Sequence, residues 1–531
     1  MTARTHSRII SALVCAVAVT AVICISHLSR AATPKARHPL AAGARVSSAP
    51  VQAARPYRPV LSSEPMGTWT TPLDTITIFV HAAMLNTGRV LLWGIDQGSV
   101  NPPPPYTPAK LYDPIANTVA DVSSIFSADV VCAGQSILPN GKIIVTGGTV
   151  IPLAIGGGGI PDTTLFDPIT ETWSHASSMN YPRWYASNVE LANGDTLVTS
   201  GHDQTGSTSV LRNETYNQKT GVWSVLPASA NNPNPGPNYL YPRLDLLPNG
   251  NVFQSAPDSQ GEVLNLITDT WTKVGKMNFG DRYYATQVLL PNSYTAFIVG
   301  GTPTNASGGG TTATATTETI DLSAQTPAWT YGPSMNIARY NHTLVYLADG
   351  TLLAVGGNSG PGHYANPVFT PEIYNPATEQ WSLMASQVGV RAYHSVSILL
   401  ADGRVLSSGS TSGTTYNHYL EIFSPPYLYN GARPTITGSP GAIVYGQQFT
   451  ITTPDAADIS SVALVMPGAT THANDMQQRY VPLTFKVGDG SLTARSPASG
   501  NWAPPGYYML VVVNDSGVPS VMPFLQLSSG T

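Results

Sequence analysis

From about residue 66 onward the chain is a series of short apolar runs broken by polar turns, and one unit of that pattern recurs. An apolar run leads into Leu-x-Asn/Asp-Gly, a second apolar run follows and ends near Gly-Gly, and two further strand-like segments complete the unit. The turns are LNTG at Gly88, LPNG at Gly141, LANG at Gly194, LPNG at Gly250, LPNS at Ser293, LADG at Gly350 and LADG at Gly403, spaced by 53, 53, 56, 43, 57 and 53 residues. Asn-Gly or Asp-Gly between two β-prone runs is a strong hairpin signal. The outer part of the unit ends on a tryptophan: LFDPITETW (Trp173), TYNQKTGVW (Trp223), LNLITDTW (Trp271) and IYNPATEQW (Trp381). Four short strands repeating about every 50 residues are the mark of a kelch-type β-propeller blade. The pattern therefore predicts an all-β protein with a seven-bladed kelch-type propeller over residues 66–428. Residues 68–78 (TWTTPLDTITI) are predicted to add a strand that closes the ring and removes its open edge. After FSPPYLYNGARP (423–434) the Trp-marked unit stops, and alternating strands such as QQFTITTP, SVALVMPG and GYYMLVVVN predict an immunoglobulin-like sandwich over residues 429–531.

The opening of the chain differs from this pattern. Residues 9–28 (IISALVCAVAVTAVICISHL) are continuously apolar behind Arg4 and Arg8, which reads as a signal peptide or an uncleaved membrane anchor within residues 1–30. Residues 31–65, rich in Ala, Pro and Arg, read as a flexible linker. The folded part is thus expected to be extracellular, either secreted or tethered to the outer face of a membrane through residues 9–28.

Composition narrows the function. Only 10% of residues are charged, the net charge is −5, and no basic stripe appears, so a nucleic-acid partner is excluded. Nothing calls for a second copy, and a monomer is expected. Of three cysteines, Cys15 and Cys24 fall in the apolar run, which leaves Cys132 alone in the folded part. An exported chain normally spends its cysteines in pairs.

The repeat serves as a ruler. Nine residues before each turn position stand Phe79, Cys132, Tyr185, Tyr241, Tyr284, Asn341 and His394, with Tyr393 just before the last. Equivalent positions in successive blades face one end of the channel. Taken singly, each of these residues is as well explained by packing. Together, with Cys132 and Tyr185 one blade apart, they point to a redox or metal site. His175 and His418, on outer-strand segments, and His363, in a Gly/Pro loop, read as ordinary surface histidines.

Four segments then carry a resemblance: CAG at Cys132, RWYAS at Tyr185, RAYHSVSILLADGRVLSSGS around Tyr393 and His394, and TTHANDMQQRYVPL around His472. Over about residues 66–531 the chain resembles the copper-radical oxidases of the galactose oxidase and glyoxal oxidase family. The resemblance implies one copper ion held by Tyr185, Tyr393, His394 and His472, with His472 supplied by the C-terminal domain. It also implies a Cys132–Tyr185 thioether that carries a radical, and Tyr393 as the base that takes the substrate proton. Gln478 and Arg479 match the family pattern, whereas Asp475 stands where Asn is usual. Asp203 stands where galactose oxidase stacks a tryptophan on the cross-linked tyrosine, so Tyr241 or Tyr239 is expected to provide that cover. Tyr284, with Tyr241, is expected to narrow the entrance.

The implied reaction uses O2, forms H2O2 and takes a small aldehyde or alcohol. RWYAS, NYLYP and the want of a β-rich segment before the first blade favour glyoxal or glycolaldehyde over galactose. Two other classes compete. A non-catalytic propeller binding a protein or glycan has no need of these five residues together, and a propeller glycosidase would need paired carboxylates at the axis, where the ring offers none.

Overall fold

The computed structural model describes residues 63–530 apart from 97–106, 124–128, 151–156, 237, 292, 306–311 and 413–414. The leader or anchor of residues 1–30 and nearly all of the linker lie outside the described residues. Among the described residues there is no α-helix, and no helix long and apolar enough to cross a membrane.

The repeats form a succession of open four-stranded antiparallel sheets. Their first strands are Thr77–Met84, Gly134–Ile137, Ser187–Glu190, Arg243–Leu246, Thr286–Leu289, Tyr340–Tyr346 and Ser395–Leu399; from the second onward each packs near the next, and Ala469–Thr471 packs against both the first and the second. In the last sheet the outer positions are filled from the start of the chain. Thr68–Trp69 and Leu73–Asp74 both pair with Tyr419–Ser424, as expected for residues 68–78.

The local chemistry explains the sheets. Six turn glycines hold φ between 84° and 86°, a left-handed conformation that glycine adopts without steric penalty. Ser293 has no such freedom, and its hairpin is one residue longer: Leu290 N–H reaches Thr295 O, whereas Leu85 N–H reaches Arg89 O. The motif tryptophans sit directly opposite the motif aromatics or leucine across the outer strands, as Trp173–Phe166, Trp223–Tyr216, Trp271–Leu264 and Trp381–Tyr374. Such cross-strand pairs each contribute about 0.2–1 kcal/mol.

Residues 442–528 form two further sheets, one of five strands and one of three. Strands Ile459–Met466 and Gly506–Asn514 are apolar almost throughout, because both faces are buried. Val462, Leu464, Tyr508, Leu510 and Val512 pack within this C-terminal unit, while Ala463, Val465, Met509, Val511 and Val513 pack against the repeat sheets. Leaving the first of these strands, the chain makes a hairpin, Ala469–Thr471 and Asn474–Asp475, that extends the first repeat sheet through the pairs His81–Thr471, Ala82–Thr470 and Ala83–Ala469.

The residues after the hairpin reach the first strands of several sheets. Met476 sulfur accepts from the N–H groups of Gln135 and Asn188, and Gln477 Oε1 accepts from Ile137 N–H. Gln478 bonds Tyr346 N–H and Leu344 O, and Arg479 donates to Leu246 O. Asp475 can stand in place of Asn because its Oδ1 only accepts, from the N–H groups of Ala469, Gln477 and Gln478.

Candidate metal centre

Six of the seven ring positions, at or next to the start of a first strand, share a local backbone signature. Cys132, Tyr185, Tyr241, Tyr284, Asn341 and His394 all have φ between 46° and 68°. For non-glycine residues this conformation costs on the order of 1–3 kcal/mol each, and it persists only where the surroundings fix it. Here hydrogen bonds from one ring position to the next do so. Tyr185 N–H donates to Cys132 O, Tyr241 N–H to Tyr185 O and Asn341 N–H to Tyr284 O, at 2.8, 3.1 and 3.0 Å.

Phe79 departs from the ring. Its strand runs on through a bulge, and Phe79 lies in the apolar core. The acceptor it would have offered is replaced by a side chain: Cys132 N–H donates to Nε2 of His81 at 2.9 Å. The His81 ring is buried, stacked on Trp93 and bonded through Nδ1 to Gln135, and burial lowers its pKa to about 3.

Buried ion pairs brace the loops that carry the ring. Arg183–Glu214, Arg282–Glu318, Arg339–Glu372 and Arg391–Glu421 lie at 2.7–3.0 Å with essentially no exposure. Each arginine stands two or three residues before a ring residue. Arg243 breaks the pattern. It is buried and bonded to the carbonyls of Tyr241 and Ala285, and it lines a cavity of about 300 Å³ that no aspartate or glutamate lines among the described residues. The paired carboxylates of a glycosidase are therefore missing from this cavity.

The structure brings Cys132, Tyr185, Tyr393, His394 and His472 together, with Tyr185, Tyr393 and His472 lining the cavity and Cys132 and His394 in contact with them. The Tyr185 and Tyr393 hydroxyls are 2.8 Å apart. Cys132 Sγ lies 3.5 Å from His472 Nε2 and 3.9 Å from His394 Nε2, and Cys132 packs against Tyr185. The two imidazoles stand nearly perpendicular at 4.6 Å, with Tyr185 and Tyr393 each 5.2 Å from His472.

Hydrogen bonds fix the imidazoles. Thr471 hydroxyl gives its proton to Val80 O, so at 2.6 Å it accepts from His472 Nδ1–H, which leaves a lone pair on Nε2. His394 Nδ1 lies 3.0 Å from Thr411 Oγ1. Burial lowers the His394 pKa to about 3 and that of His472 well below the ordinary value, raises both phenols, and pushes the Cys132 thiol up to about 12. Two neutral imidazoles and two phenols, converging where burial disfavours every charge but a shared cation, are a donor set that suits a metal ion. The Cys132, His394 and His472 ligand atoms lie within 4.8 Å of one another.

The surrounding shell corrects three expectations. Tyr241 is present, edge-on to Tyr185 at 5.2 Å, with its hydroxyl on Ala133 O, and Tyr284 meets Tyr393 at 6.2 Å. Tyr239 does not line the cavity; it is buried with Glu262 and Asn234 beside it. The ring nearest Tyr185 is Trp184, tilted by 51° at 4.6 Å, and the Asp203 carboxylate caps its own turn through Thr205. His363 is no ordinary surface residue, for it lines the cavity and packs on Tyr393 at 4.2 Å, and burial lowers its pKa to about 4. His175 lies on an outer strand, and His418 lies 3.6 Å from Asp74. Trp184 stood in the RWYAS motif beside Tyr185, which was its one signal in the sequence; His363 had none.

Residues 106–427 match the family model described as glyoxal oxidase N-terminus, and residues 433–527 the one described as galactose oxidase-like, Early set domain. The chain belongs to the galactose oxidase and glyoxal oxidase family of copper-dependent oxidases. A galactose oxidase of Gibberella zeae is 30% identical over 488 residues, spanning 86% of this chain and 70% of that protein. An aldehyde oxidase of Vitis pseudoreticulata is 27% identical over 443 residues, spanning 75% and 82%. A fungal alcohol oxidase solved in complex with copper shares the fold, with a TM-score of 0.76 at 24% identity over 87% of this chain and 100% of that one. In this galactose oxidase-like fold the Early set domain is the unit whose hairpin delivers His472.

Proposed function

We propose that this chain is a mononuclear copper-radical oxidase that converts small aldehydes, as their hydrates, to carboxylic acids with reduction of O2 to H2O2. The observation that carries this reading is the convergence of Tyr185, Tyr393, His394 and His472, with Cys132 packed on Tyr185. Copper would be held by those four side chains, with the repeat sheets arranged as a seven-bladed propeller and His472 entering from an immunoglobulin-like C-terminal domain. When bound, copper supplies a Lewis acid and an acceptor for one electron.

The residues do the rest. Oxidation of RCH(OH)2 to RCOOH removes two electrons and two protons, and both pairs pass to O2 as H2O2. Joining Cys132 Sγ to a ring carbon of Tyr185 expels one thiol hydrogen and one ring hydrogen, which O2 also takes up. The sulfur-substituted phenol is easier to oxidise, so Tyr185 supplies the second one-electron acceptor. As a phenolate with copper bound, Tyr393, which lines the cavity, would take the substrate O–H proton and become the neutral phenol. Trp184 covers the Tyr185 ring. The apolar run before the fold supports action outside the cytoplasm.

The similarity to a galactose oxidase favours a second reading, a primary alcohol as donor. Peroxide-coupled rates on copper-loaded protein with glyoxal, glycolaldehyde and galactose decide between them. A higher kcat/KM for the aldehydes is expected; a higher value for galactose would overturn the substrate class, and no peroxide from any of them would overturn the oxidase reading.

A further inference from the structure

The loop that carries His363 is tied down by a chain of hydrogen bonds that ends on the imidazole. Asn358 Nδ2 donates to the carbonyls of Gly360, Gly362 and Ala365, so its Oδ1 faces the other way. Asn341 Nδ2 donates to that Oδ1 at 2.9 Å, which fixes the amide nitrogen of Asn341 on the side of His363. The second Asn341 N–H is therefore the partner of His363 Nδ1 at 3.5 Å. Nδ1 is an acceptor, and in the neutral ring the proton must sit on Nε2. Tyr340 hydroxyl, bonded to the carbonyls of Gly360 and Gly362, braces the same loop.

The result is one oriented N–H donor on the cavity wall. The His363 ring is half-buried and packs at 4.2 Å on Tyr393, which also lines the cavity. Among the described residues no protein acceptor is bonded to Nε2. A primary alcohol carries one oxygen on its reacting carbon and a hydrated aldehyde carries two. With one hydroxyl directed at Tyr393, only the hydrate has a second oxygen on the same carbon to accept from a donor one ring away.

We propose that His363, held in the Nε2–H tautomer by Asn341, binds the second hydroxyl of an aldehyde hydrate and so selects hydrates over primary alcohols. Asn341 acts as a positioning residue, through His363. This inference rests on the oxidase reading above. A site built to bond a hydroxyl discriminates against a substrate lacking it, because its own donor is then left unpaired in a partly dry cavity.

The test compares kcat/KM for glyoxal and for a small primary alcohol, using copper-loaded full chain and peroxide detection. His363→Phe keeps the ring packed on Tyr393 and removes the donor. The aldehyde-to-alcohol ratio of kcat/KM should fall roughly 10- to 100-fold. His363→Gln, which restores an N–H, should recover part of that ratio. Asn341→Asp presents a carboxylate that accepts from an Nδ1–H, so the proton of the neutral ring moves to Nδ1 and Nε2 becomes an acceptor; the ratio should fall with the imidazole still in place. A ratio that stays at the wild-type value in both His363→Phe and Asn341→Asp overturns the inference while the oxidase reading stands. Wild-type protein that releases no peroxide from either substrate overturns both.

Discussion

The candidate centre is assembled from two regions that fold by different rules. Cys132, Tyr185, Tyr393 and His394 come from the repeat sheets, where the same left-handed step recurs at the ring position of every sheet but the first. His472 comes from a hairpin of the C-terminal unit, which reaches the site by adding strands to the first repeat sheet. The repeat side is fixed by hydrogen bonds between ring positions, from Tyr185 to Cys132, Tyr241 to Tyr185 and Asn341 to Tyr284, and by buried Arg–Glu pairs behind them. The hairpin side is fixed by Thr471 and by Met476, Gln477, Gln478 and Arg479, which bond several sheets at once. The difference teaches that the repeat supplies a scaffold of equivalent positions, while the metal site is completed only where a non-repeating segment breaks the equivalence.

The comparison breaks most sharply if one side proves dispensable. His394→Ala and His472→Ala, one from each region, should each weaken copper binding far beyond the roughly 10- to 100-fold effect of losing a partner of a metal ligand. His175→Ala, on an outer strand, should leave it unchanged. Equilibrium dialysis with copper checks this, and full copper retention in either site variant would remove that region from the centre.

A smaller effect sharpens the comparison. Thr411→Val removes the partner of His394 Nδ1, and Thr471→Val that of His472 Nδ1. Each should lower copper affinity by roughly 10- to 100-fold. The Thr471 change should also loosen the hairpin, because it removes the bond to Val80 O. Copper affinity and thermal midpoint measured on both variants should therefore show affinity alone moving in the repeat-side variant and both moving in the hairpin-side variant.

A separate effect is expected from pH on the metal-free chain. His81 and His394 are held neutral, with pKa values near 3 against about 6.5 in the unfolded chain. Between those values the unfolded state binds more protons than the folded one. Stability is therefore full above pH ~6.5 and declines as pH falls toward 3. Thermal melts of metal-free protein from pH 7 to 4 should show a falling midpoint; a midpoint that rises on acidification would contradict the buried neutral imidazoles.

What could be read from the sequence divides along the same line. Counting nine residues back from each turn located Cys132, Tyr185 and His394 because the repeat keeps its register. It failed at Phe79, where the first strand runs on through a bulge and His81 takes over the hydrogen bond. His472 lay outside the ruler, legible only through the TTHANDMQQRYVPL motif. The cavity walls were the least legible part. Trp184 stands one residue before a ring position and packs on Tyr185, while Tyr239, one of the two residues expected to provide that cover, does not line the cavity. His363 reaches Tyr393 from a Gly/Pro loop with no register to the repeat, held by Asn341, a ring position with no chemistry of its own.

The central claim is that Cys132 and Tyr185 form one cofactor with copper, and the mass of the intact protein tests it most directly. Copper-loaded, aerated protein should be lighter than its processed sequence by two hydrogen atoms, and Cys132→Ser protein should show no such loss. Wild-type protein that oxidises substrate while keeping its full mass and a titratable thiol at Cys132 would contradict the claim.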